Sequence, residues 1–140
     1  MSAQTEFTLA KNVVDDFTGD VIKVTSYEIV GKGVGTIKAK LANINGSYYI
    51  YMYSLYDLGC SGARGNSLKV RFVDGSVLDL GEDIADIDCA DYATCIFRID
   101  DVNAVQGKSI DKIRLTMSEY YDDVNVNSAN FFEDGINILK

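Results

Sequence analysis

"TIKAKLANINGSYYIYMYSLY", residues 36–56, is the stretch on which the fold turns. Runs rich in β-branched and aromatic residues flank Asn45-Gly46, the strongest short hairpin signal, because the favoured two-residue turn needs positive φ at both central positions. The two runs therefore pair antiparallel. Within the second run Tyr49, Tyr51 and Tyr53 point one way, while Tyr48, Ile50, Met52, Ser54 and Tyr56 point the other. Both faces are apolar in body, the pattern of a central strand covered on each side, with phenolic hydroxyls reaching an edge or water.

Loop length decides what the three rings meet. A two-residue loop sets Lys40 opposite Tyr51 and Lys38 opposite Tyr53, a wet face of rings and lysine stems. A three-residue loop sets Tyr49, Tyr51 and Tyr53 against Leu41, Ala39 and Ile37, and the rings are core. The sequence alone leaves both open. Packed aromatic strands are commoner than binding platforms, so core is the default. Tyr49, Tyr51 and Tyr53 are nevertheless the candidate ligand-binding residues, since flat amphipathic rings bury area on a sugar or protein at low entropy cost.

Working outward, "LKVRFVDGSVLDL" (68–80) is a second hairpin. A two-residue turn at Asp74-Gly75 would mix its faces. A three-residue loop, Val73-Asp74-Gly75 with Gly75 left-handed, pairs Leu68 with Leu80, Val70 with Leu78 and Lys69 with Asp79. Its core face is then Leu68, Val70, Phe72, Leu78 and Leu80. "VIKVTSYEIV" (21–30), "TCIFRI" (94–99), "IDKIRLTM" (110–117) and "YYDDVNV" (120–126) read as further strands. "DDVNAVQGK" predicts one or two helical turns, capped by Asp100 or Asp101 and stopped at Gly107. A terminal helix over 128–139, capped by Asn127 or Ser128, buries Phe132, Ile136 and Leu139 at i, i+4, i+7. Gly135 costs that helix about 1 kcal/mol relative to alanine, so packing has to hold it.

The expected architecture is mainly β: a single antiparallel β-sandwich or half-open barrel of seven to eight strands with a C-terminal helix. Residues 13–140 form this domain. Residues 1–12, polar around Phe7 and Leu9, form an N-terminal arm too weak to order itself, which suggests that neighbouring copies or another subunit hold it.

Composition excludes several chemistries. A chain of 140 residues with 47% hydrophobic and 24% charged residues buries a core unaided. It contains no histidine, so Ser-His and Cys-His nucleophile pairs, imidazole proton shuttles and His-containing zinc sites are out of reach. Cys60, Cys89 and Cys95 form no C-x-x-C pair, which removes a structural zinc site; reduced thiols in a cytosolic setting are expected. "MSAQTEFTLA" has no signal-peptide pattern, and no window approaches the roughly 18 apolar residues of a membrane span. A net charge of −8 without a basic cluster argues against nucleic acid and membrane as partners.

Two irregular stretches invite sharper readings. "GCSGARGN" (59–66) lacks the Gly-Lys-Ser/Thr ending of a phosphate loop, and Cys60 has no histidine to activate it. The acidic "GEDIADIDCAD" (81–91) gathers Glu82, Asp83, Asp86, Asp88 and Asp91 at spacings that match no EF-hand. A connecting loop and a solvated acidic loop are the readings kept. No catalytic residue, metal ligand or cofactor is assigned.

"DDFTGDVIKVTSYEIV" (15–30), "LKVRFVDGSVLDL" (68–80) and "SIDKIRLTMSEYYDDVNVNSANFFEDGINIL" (109–139), with their spacing, resemble a loose group of small uncharacterised proteins from Bacteroides-type bacteria and their phages. The likeness runs from Asp15 to Leu139, and its motifs are structural. It implies a β-rich fold and transfers no functional residue. The expectation is a non-catalytic structural or interaction protein, most concretely an accessory subunit of a phage virion or similar assembly, whose partners are other subunits or copies of itself. Synthesis in the cytoplasm and residence in a virion go with that. The alternative is a module that binds a carbohydrate or other small ligand on its tyrosine face.

Overall fold

Period-two alternation carries most of the chain into strands. The computed structural model describes residues 7–32, 36–54, 67–80, 84–85, 93–116, 121–126 and 129–140. Among these lie β1 (Leu9–Val14), β2 (Val21–Thr25), β3 (Glu28–Lys32), β4 (Thr36–Ile44), β5 (Ser47–Ser54) and β6 (Ser67–Phe72). They are followed by β7 (Val77–Leu80), β8 (Ile84–Ala85), β9 (Ala93–Ile99), β10 (Ile110–Thr116), β11 (Tyr121–Val126) and helix α1 (Phe131–Leu139). All pairings are antiparallel, in the order β7-β6-β10-β11-β3-β4-β5-β9-β8, with β2 and β1 branching from β4. Among the described residues β11 meets β3 at Asn125↔Lys32 and Val126↔Gly31. The strands form two antiparallel layers, and the sheet does not close. This is a β-sandwich with a C-terminal helix.

One core fills the space between the layers. Ile37, Ala39 and Leu41 of β4, Ile50 and Met52 of β5, and Phe97 and Ile99 of β9 face Leu68, Val70 and Phe72 of β6, Ile113 and Leu115 of β10, and Val124 of β11. The β6–β7 register is Leu68↔Leu80, Lys69↔Asp79 and Val70↔Leu78 around a three-residue loop with Gly75 at φ 89°. That is the expected hairpin, and Leu78 alone of its core face is only partly buried.

Three strands exceed the expected number. β1 begins within the expected arm, at residues 9–12, and is held by its own chain: it pairs with β2, and Phe7 stacks on Phe131 at 5.2 Å between ring centroids. β8 adds two residues from the acidic stretch. The run 21–30 is divided, because β4 is long enough to take β2 and β3 along the same edge. Val24 pairs with Ala42 and Glu28 with Ala39, so three residues, Thr25 to Tyr27, span the two positions Lys40 and Leu41. This bulge leaves the Leu41 N–H without a backbone acceptor, and the buried Thr25 Oγ1 takes it at 3.0 Å while donating to the Ser26 carbonyl.

α1 starts later than predicted. Asn130 is its N-cap and makes no side-chain cap bond. The Ala129 carbonyl accepts from Ile110 N–H of β10 at 2.8 Å, which fixes the preceding residue to the sheet; Asn127 and Ser128 lie outside the described residues. Phe132, Ile136 and Leu139 are buried as the spacing predicts, joined by Phe131 and Gly135. The helix ties the layers together: Phe132 packs 6.1 Å from Phe72 of β6, while a Cβ on Gly135 would run into Leu41 of β4 and lie 3.2 Å from the Phe7 ring. Close approach, then, is why glycine sits in this helix. The predicted helical turn after β9 is a 3-10 turn, Val102–Ala104, capped by Asp101, with Gly107 at φ 77°.

Candidate functional site

The β4–β5 register settles the tyrosine question. Ile44 pairs with Ser47 across a two-residue Asn45-Gly46 loop with φ 54° and 88°, so Lys40 lies opposite Tyr51, Lys38 opposite Tyr53 and Ala42 opposite Tyr49. Tyr49, Tyr51 and Tyr53 therefore sit half-buried on the outer face of the sheet, away from the core formed by Ile50 and Met52. On their other flank β9 sets Arg98 beside Tyr49 and Ile96 beside Tyr51. A column of rings runs between columns that carry cations.

The bulge supplies a residue that strand periodicity missed. Tyr27, displaced from the ladder, packs against Tyr53 with centroids 6.1 Å apart and planes tilted by 51°. Lys40 extends between two rings, its Nζ 4.7 Å from the Tyr27 centroid and 4.9 Å from that of Tyr51. Cation–π contacts of this kind contribute about 0.5–1 kcal/mol each when exposed and more when desolvated. Burial, then the neighbouring Lys11, holds the Lys40 pKa below its ordinary value. Burial raises the Tyr51 phenol, with Tyr49 adding to it, and burial followed by Tyr53 and Tyr51 raises Tyr27. Both phenols thus keep their protons at neutral pH and can donate hydrogen bonds. Beside them lies a groove of about 470 Å³, lined among others by Lys11, Val24, Tyr27, Lys40, Ile44 and Tyr51.

A second surface was not foreseen from sequence. The β1–β2 turn, Asp15 to Asp20, is braced throughout. Asp15 Oδ1 accepts from Phe17 N–H at 2.8 Å and Thr18 N–H at 3.1 Å, and the Asp15 carbonyl accepts from Gly19 N–H, with Gly19 at φ 75°. Asn45 clasps the turn to the β4–β5 loop: its Oδ1 accepts from Val21 N–H and its Nδ2 donates to Asp20 Oδ1 at 2.7 Å. On this ordered tip Phe17 is 101% exposed, beside Val14 at 62% and Val21 at 40%. Every residue of β1 is exposed, and among the described strands it pairs with β2 alone. The one local signal was an aromatic residue inside a short turn rich in Asp, Thr and Gly.

The other candidates do not gather. Residues 59–66, including Cys60, lie outside the described residues, as do the carboxylates of 81–91 and Cys89. No group of three or more Cys, Asp or Glu side chains with metal-binding geometry occurs among the described residues. No helix among them is long and apolar enough to cross a membrane. Compared with protein-family models, curated proteins and solved structures, the chain finds no match, so the resemblance to Bacteroides and phage proteins gains no support there.

Proposed function

We propose that this chain is a non-catalytic interaction protein, an accessory subunit of a phage particle or similar assembly, which docks through its β1–β2 hairpin onto other copies of itself. The observation that carries this reading is Phe17. A phenylalanine held wholly in water forgoes roughly 1.5–3 kcal/mol of burial, and the turn that presents it is stiffened by hydrogen bonds on both sides. Rigid, exposed aromatic anchors are what hot spots of interfaces are made of. The edge of β1 beside it, unpaired among the described strands, offers backbone groups to a second chain. The resemblance to phage-associated proteins supplies the biological setting, and capsid or tail genes adjacent to the coding gene are the expected context.

Sedimentation velocity tests the docking. The protein is expected to sediment as a dimer or larger species as concentration rises, and Phe17→Ser to remain a monomer with an unchanged melting temperature. A strict monomer at every concentration contradicts self-docking.

A second reading is favoured by the two-residue loop, which turns Tyr49, Tyr51 and Tyr53 outward with Lys38 and Lys40. Here the protein holds a glycan or other small ligand on that face. Tyr51→Ala then abolishes binding and moves the melting temperature little; a large loss of stability returns the ring to a structural role.

A further inference from the structure

We infer that the groove over β1, β2, β4 and β5 binds a sugar acid, a saccharide ring bearing one carboxylate, with its apolar face on Val24, Ile44 and the ring edges of Tyr51 and Tyr27 and its carboxylate between Lys11 and Lys40. The inference rests on the second reading above, that the tyrosine face takes a ligand. Its groove of about 470 Å³ is of ordinary ligand-site size.

Three observations select the ligand. First, the chain has 21 acidic residues against 13 basic ones, yet the described residues lining the groove include Lys11 and Lys40 and no carboxylate. Like charges brought together beside apolar walls repel, and Lys11 is one of the causes that depress the Lys40 pKa. An anion seated between them reverses that repulsion. Second, the aliphatic hydroxyls among the described lining residues already serve the backbone. Thr25 Oγ1 accepts from Leu41 N–H and donates to the Ser26 carbonyl, and Ser26 Oγ accepts from Thr8 N–H at 3.0 Å. Ligand recognition therefore falls to the two ammonium groups and the phenols, which suit a carboxylate and sugar hydroxyls. Third, the groove has apolar body, from Val24, Ile44 and the edges of the tyrosine rings, against which the C–H face of a pyranose packs. A polyphosphate or nucleic acid fits poorly: it calls for more cationic and N–H donors, and the net charge of −8 repels a polyanion at long range.

Titration of the ¹⁵N-labelled full chain with D-galacturonic acid, its methyl ester, galactose and benzoate, followed by NMR, tests the inference. Galacturonic acid is expected to shift the amides of Lys11, Lys40 and Tyr51, the ester and galactose to bind about tenfold more weakly or worse, and the affinity to fall with salt. Lys40→Met and Lys11→Met should each lose about tenfold in affinity, Lys11→Met at unchanged melting temperature and Lys40→Met with the fold retained, and Tyr51→Phe, which keeps the ring, should lose less. Equal binding of acid and ester, or of benzoate and sugar acid, overturns the inference. Galactose binding at Tyr51 with no preference for the acid overturns it while leaving the tyrosine-face reading intact. No shift from any sugar overturns both.

Discussion

At the level of single residues, two positions show geometry overriding local preference. Gly135 lowers helix propensity by about 1 kcal/mol, so Gly135→Ala ought to stabilise an isolated helix. In the folded chain the added methyl meets Leu41 and the Phe7 ring, and urea unfolding is expected to show a net destabilisation of about 1–3 kcal/mol. Phe17 presents the opposite case, a large apolar side chain left fully exposed. Phe17→Ser is expected to change unfolding free energy by no more than about 0.5 kcal/mol, whereas Phe132→Ala, in the core between β6 and α1, is expected to lose about 3–5 kcal/mol. Comparing the two by urea denaturation separates residues kept for the fold from residues presented to a partner.

At the level of elements, the hairpins were legible because their faces are patterned. Leu68, Val70, Phe72 and Leu80 could be buried together in one register only, and the loop length followed. The tyrosine hairpin was ambiguous for the converse reason, since both faces of β5 are apolar in body and either register buries something. Asn45 resolves it, adopting positive φ while its side chain clasps Asp20 and Val21. Asn45→Gly keeps the turn's dihedral freedom and removes the clasp, so a loss of about 0.5–1.5 kcal/mol in urea unfolding is expected. The divided run 21–30 and β1 were not legible. A bulge filled by Thr25, and an edge strand whose stability comes from its neighbour rather than from its own composition, leave no periodic trace. Tyr27, the ring that completes the candidate site, was missed for the same reason.

Over the whole molecule, charge sets the response to acid. Asp15, held low by Thr18 and Phe17 backbone N–H groups, Asp74, held low by Ser76, and Asp123, held low by Arg114, all titrate below the ordinary aspartate range when folded. Groups with depressed folded pKa values add stability above the unfolded value, about 3.9, and lose it as pH falls through the folded one. Thermal melts are therefore expected to be flat from neutral pH down to that range and to fall below it, by a small amount because all three carboxylates are at the surface. The same surface carries the functional claim. The interior accounts for the fold, while Phe17, the β1 edge and the Tyr–Lys groove all face outward and remain available for contact. Hydrogen–deuterium exchange of the full chain at low and high concentration tests this most directly. Self-docking predicts that amides of residues 9–21 gain protection as concentration rises while those of β4, β6 and β10 stay unchanged; identical exchange of residues 9–21 at both concentrations contradicts it.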